Sequence, residues 1–250
     1  MAADPIHQFE IHSLVPLFKL GGAEIHFTNS AAFMMVAVAL TALLLIGATA
    51  GRRLVPTRLQ SMAELSYELM ADTLRNSAGE EGMKFFPLVL SLFMFIMMSN
   101  VVGLIPYTFT VTSHIVITAA LALTVFFTVI IYGIWKHGLH WFKLFLPSGI
   151  PALMAPMIVI IELLSFLSRP ISHSVRLFAN MLAGHITLKL VASFVVMMGS
   201  IGVLGIFGAI APLLLTIALT ALELLVALLQ AYVFAILTCI YLNDAIHPGH

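Results

Sequence analysis

Apolar residues dominate the chain in stretches long enough to cross a bilayer. Residues 31–50, AAFMMVAVALTALLLIGATA, carry no charge and match the ~20 residues that a spanning helix needs. Gly51, Arg52 and Arg53 close this span. Residues 54–82 follow another pattern. Arg58, Glu64, Glu68, Asp72, Arg75, Glu80 and Glu81 interleave with Leu59, Met62, Leu65, Leu69 and Met70 at helical spacing. This predicts an amphipathic helix over 54–78, lying on the membrane surface or forming a cytoplasmic loop. Residues 83–106 and 114–136 predict two further spans, the first ending at Gly103 and Pro106, the second at Trp135, Lys136 and His137. Trp135 and Trp141 flank a basic loop and read as interfacial anchors. Residues 1–29 read as a polar, partly ordered segment outside the membrane.

The pattern changes after Pro151. Residues 151–199 and 201–243 are each apolar over more than forty positions. As one helix, either would be roughly 60 Å long, against a hydrocarbon core of ~30 Å. Each could be two spans broken near Pro170 and Pro212, or one long tilted helix. No hydrophilic loop interrupts them, which favours tilt. Gly199, Gly202, Gly205 and Gly208 mark the hairpin between them.

Composition fixes the class. The chain is 61% hydrophobic and 9% charged, where soluble domains carry about 25% charged residues. The expected fold is an all-α polytopic membrane protein: an N-terminal transmembrane helix, an amphipathic surface helix, a transmembrane hairpin and two long, steeply tilted helices. Lys+Arg and Asp+Glu both number 11, so nothing points to nucleic acid. Cys239 is alone and cannot form an internal disulfide. The N-terminus, with Asp4 and Glu10 and no apolar run, does not read as a secretory signal. The positive residues at 52, 53, 58, 75, 84, 136 and 143 fall on one side if three spans alternate. That side is then cytoplasm or matrix, with the N-terminus outside.

Ionisable groups inside apolar helices are expensive, and mark function by default. Glu162, Arg169, Arg176, His185 and Lys189 stud the first long segment, and Glu223, Gln230 and Tyr241 the second. At 100° per residue, Arg176 and Asn180 share a face and Glu162 returns close to it; His185 points to the opposite side, about 13 Å along. Glu223, Gln230 and Tyr241 fall near one face. His185 and Glu223 can exchange protons near neutrality, whereas a guanidinium cannot. Such a row is a proton path with a barrier in it. Structural roles stay open: Arg176 as an ion-pair partner, Glu162 paired with Arg169, Arg169 and Lys189 snorkelling to an interface, Asn180 and Gln230 as interhelical glue, His173 as a core histidine. His137 and His140 are too few for a metal site. No H-E-x-x-H, Walker A or G-x-S-x-G motif is present, so protease and nucleotide-hydrolase readings lack their chemistry, and no cofactor is expected. A transporter or channel acting alone, and a membrane scaffold, stay open on these residues.

The stretches SVRLFANMLAGH and ALELLVALLQAYVFAILTCIYLNDAI closely resemble subunit a of the F-type ATP synthases. DPIHQFEI, SNVVGLIPYTFTVTSHI and ISHSVRLFANMLAGH fit the alphaproteobacterial and mitochondrial branch. The resemblance covers nearly the whole chain. It implies a proton-channel stator without a catalytic site, packed against a c-ring whose subunits each carry an essential carboxylate, within a complex that includes peripheral-stalk b-type subunits. Two offset half-channels then couple proton flow to ring rotation. Arg176 matches the family's essential arginine, which faces the ring carboxylate and separates the half-channels. His185 and Glu223 match a pair in the outer half-channel, with Asn180 and Gln230 at its inner end. Glu162 and Asp244, with Ser165 and Tyr241 as weaker candidates, line the exit. The expected location is a bacterial inner membrane, the mitochondrial inner membrane being the alternative.

Overall fold

The computed structural model describes residues 10–20, 23–50, 55–105, 108–138, 141, 145, 154–200 and 202–247. Arg52, Arg53, Pro106, His140, Lys143 and Pro151, singled out above, lie outside them. The chain opens with an antiparallel hairpin, β1 (Ser13–Leu20) and β2 (Ala23–Thr28), within the segment read as partly ordered. Six helices follow: α1 (Asn29–Ala50), α2 (Arg58–Gly82), α3 (Phe86–Gly103), α4 (Ile115–His137), α5 (Ala155–Gly199) and α6 (Val203–Ile246). Among the described residues, five helical stretches are long and apolar enough to cross a membrane: α1, the run from α2 through α3, α4, α5 and α6. The chain is thus an all-α polytopic membrane protein, with one small β-hairpin at its start.

The two long segments are single helices, of 45 and 44 residues, with Pro170 and Pro212 inside them. A proline costs an interior hydrogen bond, but neither ends its helix. The turn between them is also tighter than the four glycines suggest. Gly202 takes φ 103, a conformation that only glycine adopts readily, whereas Gly205 and Gly208 lie inside α6.

Packing divides the chain into two compact units. The first holds Met1–Thr41, Phe95–His114 and Leu177–Gln230. Here Asn29 ties the hairpin to the head of α1: its amide donates to the Glu10 carbonyl at 3.1 Å, and its oxygen accepts from the His12 N–H at 3.2 Å. Beyond α3, the Thr108 hydroxyl bonds the Val102 carbonyl at 2.6 Å, satisfying a helix-end acceptor. A 3₁₀ turn, Val111–Ser113, follows. Asn100, fully buried, locks this turn in place. Its oxygen accepts from Thr112 at 2.7 Å and its amide donates to the Ala227 carbonyl of α6 at 3.0 Å.

The second unit holds Ala42–Met94, Ile115–Arg176 and Ala231–His250. Thr57 caps α2 by accepting the Gln60 N–H, and the helix breaks at Gly79, where φ is 66. Lys136, at the end of α4, pairs with Glu81. His137 Nε2 approaches the terminal Ile246 carbonyl of α6 at 3.0 Å, where a cationic or donor group suits the helix C-terminus. Trp141, Phe145 and Phe166 form one aromatic core cluster. Trp141, expected at an interface, is only 3% exposed, while Trp135 is 82% exposed. The reason is Gly133: a Cβ there would lie 2.1 Å from the Trp141 indole nitrogen, so the missing side chain makes room for the ring.

Candidate functional site

In the first unit, α5 presents His185 and α6 presents Glu223. They are 8% and 7% exposed. His185 Nδ1 lies 3.4 Å from Glu223 Oε1. Burying ionised groups is costly unless they are paired, so two such groups at ion-pair distance form one unit. Gly184 permits it. A Cβ at that position would come within 2.9 Å of Glu223 Oε1, so the carboxyl rests against bare backbone. On the other side of the imidazole, Nε2 lies 3.1 Å from the Thr110 hydroxyl. An open cavity of about 250 Å³ begins at Glu223 and extends along Gly184 and Thr187 to Asn180. Asn180 is exposed, and Gln230 is buried in the same unit.

A second polar group sits in the other unit. Arg169 Nη1 meets Asp244 Oδ2 at 2.5 Å. Its guanidinium also stacks over Tyr241 at 5.2 Å and over Phe166 at 5.5 Å, adding cation–π attraction. Arg169 thus takes its carboxylate from α6 rather than from Glu162 on its own helix. His173 is buried, with its ring 3.8 Å from that of Phe234 and 5.8 Å from that of Tyr241. The neighbouring Ser174 hydroxyl lies 3.1 Å from that of Thr118 on α4. Arg176, the last α5 residue of this unit, is exposed. Glu162 is half-buried and Ser165 exposed; no hydrogen bond or ion pair joins either side chain to Asp244 or Tyr241.

The structure therefore brings together His185 with Glu223, beside a cavity that reaches Asn180, and Asp244 with Tyr241 through Arg169. Sequence reasoning missed Thr110, Asn100 and Gly184. The threonines of YTFTVTSH entered only as part of the motif SNVVGLIPYTFTVTSHI. Their partners come from other helices, so local pattern could not assign them.

A polytopic helical membrane protein that buries a carboxyl–imidazole pair beside an open cavity belongs to the class that handles charge inside a bilayer. The chain belongs to the ATP synthase A chain family, whose pattern matches residues 31–243. It is 67% identical over 247 residues to ATP synthase subunit a of Nitrobacter winogradskyi, covering 99% of both chains. It is 67% identical to that of Rhodopseudomonas palustris strain TIE-1 over 250 residues, the full length of both. The match to that of Afipia carboxidovorans is 65% over 248 residues, with 99% of this chain and 100% of the relative covered. The likeness read from SVRLFANMLAGH and the later motifs extends over the whole chain.

Proposed function

We propose that this chain is the proton-conducting stator subunit of an F-type ATP synthase, coupling proton flow through two offset half-channels to rotation of a c-ring. The observation that carries the reading is the buried His185–Glu223 pair beside a cavity shared with Asn180. Protons from outside enter through this unit and reach a ring carboxylate by way of Asn180 and Gln230. Arg176 meets the ring. It is an exposed cation, and the exposed positions one and two turns from it include the small residues Ser172, Ala179 and Ala183, which lets a second helix come close. Its partner is the ring carboxylate, whose attraction in a low-dielectric site offsets the burial of both charges. Because guanidinium keeps its proton, it also blocks direct passage between the half-channels. Protons leave on the cytoplasmic side past Glu162, Ser165, Tyr241 and Asp244. The chain carries no catalytic chemistry of its own. It sits in a bacterial inner membrane with its N-terminus outside, in the complex with the ring and b-type stalk subunits. The membrane potential supplies ~2.3 kcal/mol per charge per 100 mV, so several protons must pass per ATP.

Inside-out vesicles carrying Arg176→Ala test this. ATP-driven pumping should fall to background while the complex still co-purifies with its ring. Normal pumping by an assembled mutant would make Arg176 a structural charge and remove it from the path.

A further inference from the structure

The turn after α3 reaches His185 through the Thr110 hydroxyl. Thr110 is 1% exposed, and its hydroxyl oxygen touches two groups: the Gly103 carbonyl at 3.3 Å and His185 Nε2 at 3.1 Å. A hydroxyl has one hydrogen and accepts through its lone pairs. A carbonyl can only accept, so the hydrogen goes to Gly103. The imidazole must then donate from Nε2. In a neutral imidazole only one nitrogen carries hydrogen, which leaves the lone pair on Nδ1, the ring nitrogen that lies 3.4 Å from Glu223 Oε1. The turn is built to keep Thr110 there. The Ser113 hydroxyl holds the Thr110 carbonyl at 2.6 Å, Asn100 holds Thr112 and the α6 backbone at Ala227, and Gly103 leaves room, since a Cβ there would meet the Thr110 methyl at 2.8 Å.

We infer that Thr110 is a positioning residue that fixes the tautomer of His185, so that the mobile proton is confined to the edge between Nδ1 and Glu223. The inference rests on the proton-channel reading above and deepens it. In the transfer step the Glu223 O–H bond breaks and an Nδ1–H bond forms, giving a carboxylate and an imidazolium. The reverse step returns the proton to the carboxyl, on the side where Glu223 opens to the cavity. The Nε2 hydrogen stays on Thr110 throughout, so the turn holds the ring while taking no part in the flow. A histidine with the other tautomer would place its neutral-state hydrogen on Nδ1 and leave no lone pair there to take the carboxyl proton.

The test uses the intact synthase, with ¹⁵N-histidine, in lipid vesicles. The resonances lost in His185→Gln identify His185. At a pH where the ring is neutral, solid-state NMR should show a protonated Nε2 and a bare Nδ1. Thr110→Val should mix the tautomers and lower ATP-driven pumping at least about threefold, the scale of one lost hydrogen bond. Thr110→Ser should restore both. A protonated Nδ1 in the wild type, or an unchanged spectrum in Thr110→Val, overturns the assignment. Pumping separates the two levels. If His185→Gln stops pumping while the tautomer is reversed, only the role of Thr110 fails. If His185→Gln pumps normally, His185 leaves the proton path and this inference falls with it, while the Arg176→Ala test above still judges the stator reading.

Discussion

Glu223 illustrates how closely the place of a buried carboxyl depends on the backbone beside it. Neither of its oxygens has a hydrogen bond among the described residues, and its position depends on the open backbone of Gly184. Gly184→Ala would force the carboxyl away from Nδ1. The strain of overpacking is about 1–3 kcal/mol, so the protein should still fold while pumping falls by an order of magnitude; unchanged flux would show that the spacing is immaterial. Glu223→Gln keeps the shape but cannot pass a proton, and flux in vesicles should drop to background. Arg176→Lys should also abolish coupled pumping, because a desolvated lysine can lose its proton where an arginine cannot; full pumping in this variant would deny that a permanent charge is needed. The candidates themselves were legible because polar residues are conspicuous in apolar helices. His185 and Glu223 stood out and were expected as a pair from the resemblance, but the space that Gly184 leaves for the carboxyl was not legible, since a glycine in a helix signals only the absence of a side chain. Thr110 was hidden for the opposite reason: its role comes from a turn whose partners lie more than seventy positions away.

At the scale of elements, the helices were legible and their joints were not. Uncharged runs define α1, α3 and α4. The long helices could be read because no polar stretch interrupts them, although prolines left two solutions open. The hairpin of β1 and β2 was missed, yet the Gly21-Gly22 pair between two apolar runs is a recognised turn signal. Trp141 was misread because the space that it fills is created eight residues earlier, at Gly133, on another element. Gly133→Ala should therefore lower the thermal unfolding midpoint of detergent-solubilised protein by several degrees, as overpacking of about 1–3 kcal/mol implies. An unchanged midpoint would show that the indole can shift freely.

For the whole molecule, length and hydrophobicity set the problem. A helix of 45 residues is about 67 Å long at 1.5 Å per residue, more than twice the ~30 Å hydrocarbon core, so α5 must tilt steeply or project from the bilayer. A steep tilt lays more of its length within the membrane than an upright span would. That suits a helix that carries Arg169, Arg176 and His185 at successive positions along its length.

The two tryptophans are six positions apart, and they are the only ones in the chain. One indole is outward and the other enclosed by Phe145, Phe166 and the bare backbone of Gly133. Optically, they form a built-in pair of reporters with opposed surroundings. In the isolated chain reconstituted in nanodiscs, quenchers in solution or on lipid should extinguish the emission of Trp135 and spare that of Trp141. The protected signal that remains would then report on the packing of the aromatic core, without any label being attached.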